Sequence, residues 1–155
     1  MFQRILVPID GSEHSLKALT YAIEIAKKFQ STLILLHVYS LPKPAPFSPV
    51  MPLSGPSAET PLTVEITIEL IEKSREKARQ LLAPAKEKAE KQGVAAQTMV
   101  KEGNAVQEIV KTAKEENVEL IVMGARGISK LKEILMGSVS HGVSRNAPCP
   151  VLIVK

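Results

Sequence analysis

The chain of 155 residues has little that would staple, stack or anchor it: one cysteine, no tryptophan, two tyrosines and three phenylalanines. A single cysteine excludes an internal disulfide framework and a cysteine-rich zinc site, so Cys149, between Pro148 and Pro150, reads as a small buried apolar residue. No apolar run approaches the ~20 residues of a membrane span. The start, Met1 to Asp10, has too short an apolar stretch for a signal peptide, so the expectation is a soluble, cytoplasmic chain without membrane contact. Aromatic residues are too few for base stacking and none is interleaved with the basic residues, which argues against nucleic acid as a partner. G-x-x-x-x-G-K-[ST] is missing, which excludes a P-loop NTPase, and no G-x-G-x-x-G follows the first strand, which argues against a Rossmann dehydrogenase. The acidic cluster of a receiver domain is absent as well.

What is present suits one globular domain over 1–155. Hydrophobic residues make up 45%, and a chain of this length buries roughly two thirds of its unfolded surface without cross-links. The net charge of +4 is local: residues 1–123 hold 15 basic and 15 acidic side chains, so the excess lies in 124–155, with Arg126, Lys130, Lys132, Arg145 and Lys155 against Glu133. Such a cluster is either a solvated face or a site for an anion.

Apolar runs at Ile5–Ile9, Thr32–Val38, Leu120–Met123 and Val151–Val154, with a more polar one at Ala95–Val100, read as five strands. Between them, Leu16, Leu19, Ile23 and Ala26 recur at helical steps. Residues 64–92 form a charged helix with Ile71, Ala78, Leu82, Ala85 and Ala89 on one side, kinked or divided at Pro84. A third helix opens at the N-cap Asn104, with Gln107 placed for a capping box, and turns Val106, Ile109, Val110 and Ala113 inward; a short fourth helix spans 138–146. Residues 41–61 hold seven of the eleven prolines and read as a long loop: a lid, an interface element or a mobile segment.

Strands alternating with helices make right-handed crossovers, hence an open parallel sheet with helices on both faces. The apolar first and fourth strands are central, the third is an edge, and the order is 3-2-1-4-5. The winding then reverses between strands one and four, where ligands of such sheets bind beyond the carboxyl ends. Two segments converge there: Pro8-Ile9-Asp10-Gly11-Ser12, and the glycine segment that runs from Gly124 through Gly127 to Gly137-Ser138-Val139-Ser140. Glycines permit positive φ and close backbone approach to a phosphate, and Gly137-Ser138 precedes a helix whose free N–H groups suit an anion. Ser138 and Ser140 add hydroxyls; Arg126, Lys130 and Lys132 add charge. By spacing alone, ordinary turn and cap chemistry explains the glycines equally well. Asp10 is either a helix cap or a ligand contact. His37 reads as a satisfied core histidine, His14 as a first-turn surface residue, and Ser138, His141 and Asp10 as a poor hydrolytic triad lacking an oriented acid.

Gly124-x2-Gly127-x9-Gly137-Ser138, the closing run Asn146 to Val154, the opening Ile5 to Ser12 and the strand Leu33 to Val38 together resemble the universal stress protein family along the whole chain, the loop at 41–61 excepted. The intact glycine pattern is similar to that of the family's ATP-binding branch. The resemblance implies an adenine-nucleotide alpha-hydrolase-like sheet and a regulatory, dimeric nucleotide binder in stress response with an unidentified protein partner. It sets Asp10 by the ribose, Pro8 and Ile9 along the adenine, the Val38 backbone at its edge and Met123 beside the base. Gly124, Gly127, Gly137, Ser138, Val139 and Ser140 would hold the phosphates, with Arg126 adjacent. Mg2+ or Mn2+ would accompany ATP, held by phosphate and water since no carboxylate pair is evident. Slow ATP hydrolysis or autophosphorylation, and a nucleotide-free interaction module, are the alternatives. The family also implies a homodimer, and an apolar edge strand at Val151–Val154 gives it a physical reason.

Overall fold

The computed structural model describes residues 1–41, 61–128 and 136–155; the side chains of 61–64 lie outside that description. Most of the proline-rich segment, and Lys130, Lys132 and Glu133, are therefore not described. The chain runs β1 (Arg4–Pro8), α1 (Glu13–Phe29), β2 (Thr32–Tyr39), α2 (Pro61–Glu90), β3 (Ala96–Glu102), α3 (Ala105–Glu115), β4 (Leu120–Gly124), α4 (Ser138–Asn146) and β5 (Val151–Val154). All pairings are parallel and the order is β3-β2-β1-β4-β5, as the sequence implies.

Side chains of a strand alternate between faces, so each central strand feeds two cores. Ile5, Val7, Leu33, Leu35, Leu120 and Val122 pack under α1 and α2, against Leu19, Ile23, Leu82 and Ala85. Leu6, Ile34, Leu36, Ile121 and Met123 pack under α3 and α4, against Ile109, Ala113 and Val143. Cys149 is half-buried against this second core. Strands buried on both faces read as unbroken apolar runs, which is why β1, β2 and β4 are legible in the sequence. β3 is the polar edge.

Two helix details differ from the periodic reading. The buried stripe of α1 is Ser15, Ala18, Leu19, Ala22, Ile23 and Ala26, while Leu16 is 45% exposed, at the rim of that stripe in the first turn. α2 runs unbroken through Pro84, which faces solvent. Asn104 caps α3 as expected, its side-chain oxygen accepting the Gln107 N–H at 3.1 Å.

Candidate functional site

The sheet opens where its winding reverses. β1 pairs with β4 only at Ile5–Leu120 and Leu6–Ile121, yet β1 continues along β2 to Pro8 and β4 along β5 to Gly124. The two strand ends part, and a crevice of about 300 Å³ lies between them. Its floor and walls include Pro8, Ile9, Asp10, Leu36 and Val38 from the β1–β2 side. From the β4–α4 side come Met123, Gly124, Arg126, Gly127, Gly137, Ser138, Val139 and Ser140. Every residue singled out from the sequence as a ligand contact is thus brought to one cavity. Ser15, Ala105, Ile109 and Ile128 also line it and carry no sequence signal beyond apolar or helix-start character.

The loop after β1 is tightly braced. Asp10 Oδ1 accepts the Ser12 N–H at 2.9 Å, closing an Asx turn across Gly11. Ser12, rather than Asp10, caps α1: its Oγ accepts the Ser15 N–H at 3.1 Å. Asp10 therefore keeps its second oxygen for the crevice, where it lies beside Gly127. The Ile9 carbonyl is held by His37, whose Nδ1 must be the donor since a carbonyl only accepts, at 2.7 Å. His37 is thus a satisfied strand histidine that also anchors the site loop. His14 differs from expectation: it is half-buried, with Nδ1 shielded from solvent and without a hydrogen-bond partner, because α1 starts directly against the end of β4.

The three glycines of the pattern do different physical work. A Cβ on Gly124 would lie 2.7 Å from both the carbonyl carbon and Cβ of His14, so that glycine lets α1 approach β4. A Cβ on Gly127 would meet Asp10 Oδ2 at 2.7 Å, so this one leaves room for the carboxylate. At Gly137 the nearest atom would be the Ala125 carbonyl oxygen at 3.4 Å, an ordinary contact. None of the three has positive φ; the left-handed glycine of the site is Gly11, at +83°.

Gly137 precedes α4 without any side-chain cap, and Ser138, Val139 and Ser140, the first residues of this helix, line the crevice. Ser140 does not add a hydroxyl donor there. Its buried Oγ–H is directed to the carbonyls of Ala125 (2.8 Å) and Gly137 (3.0 Å), and this locks α4 to the end of β4. Ser138 is exposed and His141 is exposed one turn on, so these two do not form a poised serine–histidine pair. Half-buried Arg126 brings positive charge to the same wall, and its carbonyl accepts a long contact from Ser12 Oγ at 3.4 Å. Among the described residues no three His, Cys, Asp or Glu side chains cluster as a metal site, and Asp10 is the only carboxylate lining the crevice. A divalent ion here fits only if a ligand's own oxygens and water supply most of its shell.

A parallel sheet with a crevice at the strand crossover, an uncapped helix start on one side and a carboxylate on the other, defines a doubly wound α/β domain. The family model "Universal stress protein family" matches residues 1–155, and the chain belongs to that family. It is similar to Universal stress protein YxiE of Bacillus subtilis (strain 168), 41% identical over 155 residues and the full length of both chains. Universal stress protein MJ0577 of Methanocaldococcus jannaschii is 34% identical over 158 residues, covering 100% of this chain and 96% of that one. The solved structure of MJ0577 matches with a TM-score of 0.82 at 32% identity, again covering 100% and 96%. A solved universal stress protein in complex with cAMP matches with a TM-score of 0.65 at 26% identity, covering 99% of this chain and 96% of that one. Among the described residues no helix is long and apolar enough to cross a membrane.

Proposed function

We propose that this protein is an ATP-binding regulatory member of its family, a dimer whose partner binding is switched by the nucleotide. The observation that carries the reading is the meeting of the Asp10 carboxylate, the Gly127 backbone and the uncapped start of α4 around one crevice. The cAMP complex of a relative supports an adenine nucleotide as the class of ligand.

In this reading the adenine lies in the apolar part of the crevice, bordered by Pro8, Ile9 and Met123, with the Val38 backbone at its edge. Asp10 accepts hydrogen bonds from the ribose hydroxyls, since an ionised carboxylate can only accept. The phosphates meet the N–H groups of Ser138, Val139 and Ser140, where unpaired amides and the positive end of the helix dipole favour negative charge. Gly127 and Gly137 keep side chains out of their path, Gly124 sets the α1–β4 spacing, and Arg126 supplies positive charge. Mg2+ or Mn2+ accompanies ATP through phosphate oxygens and water. With no poised serine–histidine pair among the described residues and no Walker lysine in the sequence, the role is binding rather than fast turnover.

Switching requires that ATP bind two states of the protein unequally, and a tenfold preference corresponds to ~1.4 kcal/mol. The two copies join through β5, a sheet edge whose Leu152 is exposed. The test is to heat-denature protein purified without added nucleotide and identify what is released, with Gly137→Arg as the control. Near-stoichiometric ATP from the wild type and none from the folded variant is expected. An empty protein that also fails to bind ATP, ADP and AMP with magnesium in calorimetry overturns the reading.

A further inference from the structure

β2 bonds to both of its neighbours, and its residues take turns. In a parallel ladder the N–H and C=O of one residue point to the same side, and those of the next residue to the other. The Thr32 N–H reaches the Gln3 carbonyl and the Leu36 carbonyl receives the Ile9 N–H, both at 2.8 Å, so the even positions face β1. The Leu33 N–H reaches the Ala95 carbonyl and the Tyr39 carbonyl receives the Gly103 N–H, both at 2.9 Å, so the odd positions face β3. Val38 is an even position. Its main-chain groups face the β1 side, where the crevice opens and Val38 forms part of the wall.

The next regular steps of the β1–β2 ladder would join the Val38 N–H to the Ile9 carbonyl and the Gly11 N–H to the Val38 carbonyl. Neither bond forms: the pairing ends at Pro8–Leu36, with the Ile9 N–H as its last rung. Past that rung the chain turns away, through the Asp10–Ser12 turn and the left-handed Gly11 at φ +83°. The Ile9 carbonyl is taken instead by Nδ1 of His37, at 2.7 Å. By alternation the His37 side chain shares the face of Leu33 and Leu35, opposite Leu36 and Val38, and it does not line the crevice. Its effect on the site passes through the backbone.

We propose that His37 is a positioning residue of the ligand site: by donating to the Ile9 carbonyl in place of Val38, it ends the ladder one step early and keeps the Val38 N–H and C=O open to the crevice. One donor and one acceptor then lie side by side in the plane of the sheet. Such a pair matches a heterocycle edge on which a ring-nitrogen acceptor adjoins an exocyclic amine, as N1 and N6 do in adenine. Hypoxanthine carries a donor and an acceptor in the opposite places, so both Val38 groups would face their own kind. His37 thus sets base selectivity without touching the base. The identity of the ligand rests on the nucleotide-binding reading; the open state of the Val38 N–H does not.

The test is amide hydrogen exchange by NMR on the full chain, with calorimetric titration of ATP and of inosine triphosphate, whose base is hypoxanthine. In the free wild type the Val38 amide is expected to exchange at least tenfold faster than that of Leu36, which lies inside the ladder, and to slow when ATP binds. His37→Leu removes the donor and lets the Val38 N–H close on the Ile9 carbonyl. Its Val38 amide should slow at least tenfold, while ATP affinity and the preference for ATP over inosine triphosphate both fall about tenfold, the worth of one hydrogen bond. His37→Asn places an amide N–H at the same reach from the backbone. It should restore wild-type exchange and preference, which a merely space-filling ring would not allow. A free wild type whose Val38 amide exchanges as slowly as that of Leu36 overturns the proposal, even where ATP binds tightly and His37→Leu fails to fold. So does a folded His37→Leu protein with the wild-type preference for ATP. A wild type that binds neither nucleotide overturns the nucleotide-binding reading instead, and the exchange rates of the three proteins still decide the role of His37.

Discussion

Gly124, Gly127 and Gly137 look equivalent in the sequence, and an alanine at each is expected to fail in a different way. At Gly124 the added methyl meets backbone atoms of His14 at 2.7 to 2.9 Å, and neither α1 nor β4 can yield without disturbing its packing. Overpacking of this kind costs typically ~1–3 kcal/mol, against ~0.4–1 kcal/mol returned by the stiffer unfolded chain. A backbone clash belongs at the upper end, so a net loss of about 2 kcal/mol is expected, or roughly 4–8 °C in Tm for a chain of this size. At Gly127 the obstacle is Oδ2 of Asp10, the tip of a side chain that can swing away. The expected stability change is within about 0.5 kcal/mol, the scale of an ordinary surface substitution, but the carboxylate leaves its position and nucleotide affinity falls at least tenfold. At Gly137 the methyl makes ordinary contacts at a φ of −74°. The gain of ~0.4–1 kcal/mol from the unfolded chain is offset by ~0.5–1 kcal/mol for a poorer N-cap, leaving a change near zero. Urea unfolding, read as midpoint at constant slope, and calorimetric titration with ATP separate the three. Equal losses of stability at Gly124 and Gly137, or unchanged ATP affinity in Gly127→Ala, would refute the reasoning.

Ser140→Ala removes a buried hydroxyl, but the carbonyls of Ala125 and Gly137 keep the N–H groups of Gly137 and His141, so a loss of about 1 kcal/mol in urea unfolding is expected. Asn104→Ala takes the cap from the Gln107 N–H and should cost ~0.5–2 kcal/mol, measurable as a lower Tm without change in nucleotide affinity. Burial pushes the Cys149 thiol above its ordinary pKa, which leaves less thiolate at any pH near 8. Alkylation by iodoacetamide at pH 8 should therefore be slower in the native protein than in urea, with the difference shrinking as the pH is raised. Gly142→Ala drives a methyl to 2.8 Å from Val106 Cγ2 at the α3–α4 contact and should cost ~1–3 kcal/mol, whereas pairing it with Val106→Ala should recover most of the loss.

Period and punctuation were enough to read the strands, the helices and the order 3-2-1-4-5, since a strand buried on both faces must be apolar throughout and a crossover must be right-handed. They also brought two segments, Pro8 to Ser12 and Gly124 to Ser140, to the crossover, because loops at the carboxyl ends of adjacent strands have nowhere else to go; Val38 and Met123 were named only through the family resemblance. Other features depend on which backbone passes which, and no local pattern records that. Gly124 serves the approach of α1, Gly142 admits Val106, and His37 holds the Ile9 carbonyl. Ser140 turns its proton inward, and Leu16 falls outside a stripe that its spacing had placed it in. The alternation of apolar residues determined the sheet because it follows from the geometry of one chain. Only the tertiary structure decided which glycine is packing and which is site, because a missing Cβ acquires its meaning from the atom that would have met it.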